Sequence, residues 1–140
     1  MAVEWVAAAA GASAVLWGFS AWMTRRIEAA VPINGRLVEV DGERFHYVEE
    51  GKGPPLVMIH GLMGSSRNLT YALSGQLCEH FRVITLDRPG SGYSTRHKGT
   101  AADLPAQARQ VAAFIQTLGL EKPLVLGHSL GGAISLALAL

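Results

Sequence analysis

The sequence predicts an α/β protein with a largely parallel sheet, and three observations carry that expectation. Short apolar-rich segments, the pattern of strands covered on both faces, occur at residues 56–59, where the run is continuous, and at 81–86 and 124–126. Stretches with helical spacing follow each of them, at 66–78, 101–118 and 133–140. The connections are short, and strand–helix alternation of this kind builds right-handed crossover units.

Composition narrows the functional classes. A chain of 140 residues has room for one domain of ordinary size. Hydrophobic residues make up 49% and charged residues 16%, against about a quarter charged in a typical soluble domain, so disorder is excluded. Twelve Lys and Arg against eleven Asp and Glu give a net charge of +1 with no basic stripe, which removes the electrostatic case for nucleic acid. One cysteine, Cys78, rules out an internal disulfide and a multi-cysteine zinc site; it is expected as a small buried apolar residue. No metal and no cofactor are expected.

The first 28 residues form the expected anchor. No charged residue occurs from Trp5 to Met23, about the length a helix needs to cross the hydrocarbon core. Trp5 and Trp22 stand at interfacial positions, and Arg25 and Arg26 follow directly. The positive side is the C-terminal one, so the expectation is a single-pass membrane anchor with the domain facing the cytoplasm. The alternatives are a signal peptide leading to secretion or the periplasm, or a soluble helix. A signal peptide would want positive charge ahead of the apolar run, where Glu4 stands instead.

Residues 29–36 read as a linker, with Pro32 stopping any helix, and residues 37–140 as a partial α/β domain. Leu37, Val38 and Val40 lead to Asp41-Gly42, a hairpin dipeptide, after which Phe45, Tyr47 and Val48 return. Leu69, Leu73 and Leu77 give the helix at 66–78 an apolar face, with Ser65 or Ser66 as its cap. Asp103 and Pro105 mark the start of the next helix and Gly119 its end.

The chemistry lies in Gly127-His128-Ser129-Leu130-Gly131, between a strand and a helix of small residues. Five-residue matches of this form arise by chance in roughly one chain in ten of this size, so the placement carries the meaning. A serine on a sharp strand-to-helix turn takes strained backbone angles, and its neighbours two positions away must lack side chains. Its hydroxyl then stands above the C-terminal edge of the sheet, at the positive end of a helix. His60-Gly61-Leu62-Met63-Gly64, after the first buried strand, can present a backbone N–H toward that serine and complete an oxyanion hole with the N–H of Leu130. Asp87-Arg88-Pro89-Gly90-Ser91-Gly92-Tyr93-Ser94 forms a turn-rich corner after the second.

With His60-Gly61, the Asp87–Ser94 corner and Gly127–Gly132 in this order, the chain from about residue 35 resembles the N-terminal half of an α/β-hydrolase-fold protein of the esterase, lipase and peroxidase-like group. The resemblance implies Ser129 as nucleophile, the amides of Leu62 and Leu130 as oxyanion hole, Gly127, His128 and Gly131 as the elbow, and His60 and Gly61 as supports of the oxyanion loop. Members with an aspartate nucleophile dehalogenate or open epoxides, and a serine at 129 argues against those reactions. Asp87 is expected to brace its glycine turn and Arg88 a loop, while His46, His80 and His97, with no motif around them, are expected at the surface.

A serine needs a base and a group that orients it, and in this fold both follow the nucleophile along the chain. No Asp, Glu or His follows Ser129, and residues 133–140 end in an apolar run without a cap. The expectation is therefore a fragment, inactive alone, of a serine hydrolase acting on an ester or related acyl substrate through an acyl-enzyme, with a lipid-like substrate favoured by the anchor. A cofactor-free haloperoxidase, a thioesterase, a carbon–carbon bond hydrolase and a non-catalytic binding module remain the alternatives. Gly90-Ser91-Gly92 lacks the third glycine of a dinucleotide fingerprint and no Walker-type lysine loop follows a strand, which excludes nucleotide binding.

Overall fold

Nothing in the apolar N-terminal run interrupts a helix, and in the computed structural model, which describes residues 2–140, α1 occupies Ala2–Ala30 just ahead of Pro32. This helix belongs to a separate unit ending at Ile33. Its large apolar side chains, Trp5, Val15, Leu16 and Trp17 among them, are exposed all round, and Glu4–Ala30 is long and apolar enough to cross a membrane. Ser13 donates its hydroxyl to the Ala9 carbonyl at 2.8 Å, and the Arg26 guanidinium lies 5.1 Å from the Trp22 ring centroid.

The second unit, Asn34–Leu140, is built on a five-stranded sheet of order β1-β2-β4-β3-β5. β1 (Arg36–Val40) and β2 (Glu43–Glu50) form the antiparallel hairpin. Asp41 and Gly42 both take positive φ, 50° and 79°, as a two-residue turn that follows the strand twist requires. β2 pairs antiparallel with β4 (Arg82–Leu86), and β3 (Pro55–Ile59) pairs parallel with both β4 and β5 (Leu124–Gly127). The three apolar runs thus become neighbouring parallel strands, with Leu56–Ile59 and Val83–Leu86 all buried.

Helices cover both faces. On one, α4 (Leu104–Thr117) and α5 (Leu130–Leu138) supply Ala108, Val111, Phe114 and Ile134 to a core with Phe45, Tyr47, Val57, Ile59, Ile84 and Leu86. Phe114 stacks on Phe45 with centroids 5.3 Å apart and meets Tyr47 edge-on at 5.5 Å. Asp103 caps α4 by accepting the Ala106 N–H at 2.8 Å. On the other face a helical segment packs Leu69, Leu73 and Leu77 against Leu56, Met58 and Val83. That segment is not one regular helix: α2 (Ser66–Leu69) passes through a π turn at Thr70–Ser74 into α3 (Gly75–Leu77). The Ser74 hydroxyl donates to the Thr70 carbonyl at 2.9 Å inside that turn, a local bond competing with the backbone ladder.

Two further expectations need correction. α5 starts at Leu130, not at Ala133, because the elbow leads straight into the helix with Ser129 at its N-cap. Cys78 is half-buried, its Sγ 3.5 Å from the Gly75 carbonyl, since the end of α3 lies at the rim of the core.

Candidate active site

The parallel register aligns Ile59 with Leu86 on one side and with Gly127 on the other, so the C-terminal ends of β3, β4 and β5 lie side by side. β3 leads to helices on one face and β5 to α5 on the opposite face. Such a divergence opens a crevice at the carboxyl ends of neighbouring strands. The three loops singled out from the sequence all emerge there.

Ser129 sits at φ 54° and ψ −118°, a backbone conformation that a non-glycine residue adopts only when its surroundings enforce it. The enforcement comes from close packing of glycines. A Cβ on Gly127 would strike the Gly131 carbonyl and lie 2.5 Å from the Gly132 nitrogen. A Cβ on Gly131 would strike the Ile59 carbonyl oxygen and lie 2.9 Å from that of His60. The bend is pinned by His128 N–H donating to Ile59 at 3.0 Å, and by Gly131 and Gly132 N–H donating to His128 and Ser129 carbonyls at 2.9 Å. His128 and Ser129 are exposed. Leu130 opens α5, and the first N–H groups of a helix have no partner within it.

The loop of His60–Gly64, expected from the sequence to form an oxyanion hole, abuts this bend. A Cβ on Gly61 would lie 3.1 Å from both Ser129 Cβ and His128 Nδ1. Beyond it Leu62 and Met63 are exposed, and Met63 takes φ 56°. His60 is buried beneath the loop. Its Nε2 accepts the Arg88 N–H at 3.0 Å, so Nδ1 carries the proton and donates to the Gly61 carbonyl at 2.8 Å. Burial pushes the His60 pKa below its ordinary 6.5 and the neighbouring Arg88 charge lowers it further, against opposing contributions from Gly61 and Asp87. A neutral imidazole with both nitrogens engaged is a strut, not a base.

Asp87 and Arg88, consecutive at the end of β4, join the loops. The Asp87 carboxylate accepts the Ser66 N–H at 2.6 Å and the Tyr93 N–H at 3.0 Å, and lies 2.7 Å from His46 Nδ1. Arg88 is buried, which lowers its pKa, and its guanidinium donates to the carbonyls of His60 and Gly61 and to Gln107 Oε1. His46 is the clear miss among the histidines. It is 1% exposed, in a stretch of β2 from Phe45 to Val48 that is buried on both faces and flanked by β1 and β4, and its Nε2 meets the Asn34 carbonyl. His97 is exposed and lies 3.0 Å from Glu43, and His80 is exposed. Glu43 was not singled out: burial raises its pKa, but hydrogen bonds from His97 N–H, Thr100 and Thr95 outweigh this and hold it below the usual range. Among the described residues no group of three or more His, Cys, Asp or Glu is placed to hold a metal ion.

A strained serine between a parallel strand and a helix, facing a glycine loop from the neighbouring strand, defines the hydrolase class of α/β proteins. The sequence profile of the alpha/beta hydrolase fold matches residues 54–140, and the chain belongs to that family. It is 35% identical over 111 residues to haloalkane dehalogenase 2 of Mycobacterium tuberculosis, covering 77% of this chain and 37% of that protein. It is 36% identical over 103 residues to the pimeloyl-[acyl-carrier protein] methyl ester esterase of Aeromonas salmonicida, covering 74% of this chain and 37% of the esterase. Among solved structures, a bacterial membrane phospholipase A superposes with a TM-score of 0.71 at 30% identity, covering 98% of this chain and 45% of that one. The chain therefore spans little more than a third of the length of the curated relatives named here.

Proposed function

We propose that the whole protein is a membrane-anchored serine hydrolase that cleaves a carboxylic ester with an apolar acyl group through an acyl-enzyme on Ser129. The observation that carries this reading is the φ of 54° at Ser129, held by glycines on either side and by the loop of Gly61. Strain of this kind persists only where packing over-determines it, and it clusters at catalytic residues. Ser129 Oγ attacks the carbonyl carbon, and the amides of Leu62 and Leu130 receive the negative charge of the tetrahedral intermediate. Each such donor is worth about 2.7–4 kcal/mol in a well-studied protease.

The buried histidines His46 and His60 have both ring nitrogens engaged, and no Asp, Glu or His follows Ser129. In this reading the base and the acid that orients it come from the part of the whole protein beyond these 140 residues. Dehalogenase and epoxide hydrolase relatives exist, but an alkyl-enzyme ester needs a carboxylate where Ser129 stands. The apolar helix supports anchoring, and Arg25 and Arg26 on its C-terminal side support a domain facing the cytoplasm. The likeness to a membrane phospholipase A, which extends over 98% of the chain, supports a lipid-like substrate.

The test is labelling of the whole protein in membranes by a serine-directed fluorophosphonate, beside Ser129→Ala. Labelling of the wild type and its loss in S129A are expected. Equal labelling of both would refute the assignment.

A further inference from the structure

Arg88 makes more bonds to one loop than a turn residue requires. Its backbone N–H donates to His60 Nε2 at 3.0 Å, its Nε to the His60 carbonyl at 3.0 Å and its Nη2 to the Gly61 carbonyl at 2.9 Å. His60 Nδ1 donates to the same Gly61 carbonyl at 2.8 Å. The remaining arm of the guanidinium, Nη1, is seated on Gln107 Oε1 at 2.6 Å, so α4 fixes the fork from behind.

The Gly61 carbonyl and the Leu62 N–H are opposite ends of one planar trans peptide. Holding the oxygen with these two side-chain donors, beside the longer turn bond from the Gly64 N–H at 3.3 Å, therefore fixes the direction of the N–H, which leaves the other side of the peptide. A buried cation on the oxygen also withdraws electron density from the amide, and in a low-dielectric setting such polarisation strengthens the N–H as a donor. The bend at Ser129 lies against Gly61, 3.1 Å from a Cβ placed there.

We infer that Arg88, seated by Gln107 and assisted by His60, is the positioning residue of the oxyanion hole: it orients and polarises the Gly61–Leu62 peptide so that the Leu62 N–H meets the former carbonyl oxygen of the tetrahedral intermediate on Ser129. This rests on the serine-hydrolase reading. Arg88 touches no substrate and acts only through Leu62, so its contribution is greatest when the oxygen carries full charge. A brace that merely kept the loop folded would alter stability and substrate affinity without that selectivity.

The experiment compares Arg88→Gln, Arg88→Lys and Gln107→Ala in the whole protein, on a short p-nitrophenyl ester and on a trifluoromethyl ketone that forms a tetrahedral adduct with serine. R88Q is expected to lower kcat roughly 10²-fold with KM nearly unchanged, within the range seen for loss of one oxyanion donor. Inhibition by the ketone weakens by a similar factor. R88K keeps the charge but loses the planar fork and recovers part of the loss, and Q107A falls between R88K and the wild type. A rise in KM at constant kcat, or unchanged ketone binding, would overturn the inference. If R88Q does not fold, R88K and Q107A carry the same readings. If the wild type neither turns over nor labels, the hydrolase reading fails, and the Leu62 amide proton then judges the clamp by NMR. In R88K that proton moves to lower frequency if the guanidinium polarises the peptide, and an unmoved resonance refutes it.

Discussion

Gly131→Ala is the substitution that asks most of the elbow. The added Cβ would strike the Ile59 carbonyl oxygen and lie 2.7 Å from its carbon and 2.9 Å from the His60 oxygen. All three are backbone atoms, at the end of a central strand whose neighbours on both sides are hydrogen-bonded to it, so no side chain can swing away. Restoring ordinary contact separates α5 from β3 by about 1 Å. Overpacking of a tight interior costs about 1–3 kcal/mol, and a backbone clash belongs at the upper end. The same displacement moves Ser129 away from the loop of Gly61 and Leu62, and a misplacement of 1 Å costs about 10²-fold in rate. Denaturant unfolding of the whole protein should therefore show a loss near 3 kcal/mol, and fluorophosphonate labelling should slow about 100-fold. Gly75→Ala is the control: nothing lies within 4 Å of its Cβ position, it has helical angles, and it should leave labelling unchanged. A G131A protein with wild-type stability and wild-type labelling would refute the steric account of the bend.

Other outcomes are equally open to measurement. Phe114→Ala removes a fully buried ring stacked on Phe45 and should destabilise the domain by about 3–5 kcal/mol in denaturant unfolding. His60 binds its proton less readily folded than unfolded, so its contribution to stability is complete above pH 6.5 and is lost as pH falls from there through the lowered folded value. In His60→Asn that part of the acid-side decline should disappear from unfolding free energies measured across the pH series, and an unchanged slope would contradict the assignment.

The fold was legible wherever the signal was local. The three apolar runs, the Asp41-Gly42 turn and the Asp103 cap each announce themselves within a few residues, because each depends on short-range packing or capping. The elbow was legible because part of its steric demand is local: a Cβ on Gly127 meets Gly131 and Gly132 within the turn, whereas Gly131 is required by the Ile59 and His60 carbonyls at the end of β3. The polar interior was not. His46 is buried because β2 lies inside the sheet, and its partner Asp87 is contributed by another strand. Glu43 is satisfied by Thr95, His97 and Thr100, and Arg88 by Gln107, partners that no periodicity connects. The π turn at Thr70–Ser74 escaped because Leu69, Leu73 and Leu77 keep ordinary helical spacing through it.

The Asp87 carboxylate draws together His46, Ser66 and Tyr93, groups from three distant stretches of chain. Tyr93 is six residues from Asp87, but the contacts of Asp87 with Ser66 and His46 span 21 and 41 residues and carry the entropic cost of closing those loops. The His60–Gly64 loop, which carries its own turn bond from the Gly64 N–H to the Gly61 carbonyl, leads directly to Ser66 and so to that carboxylate. The geometry of the candidate site and the cooperativity of the fold are in this way coupled, since whatever frees the Asp87 carboxylate also loosens the ground on which that geometry stands.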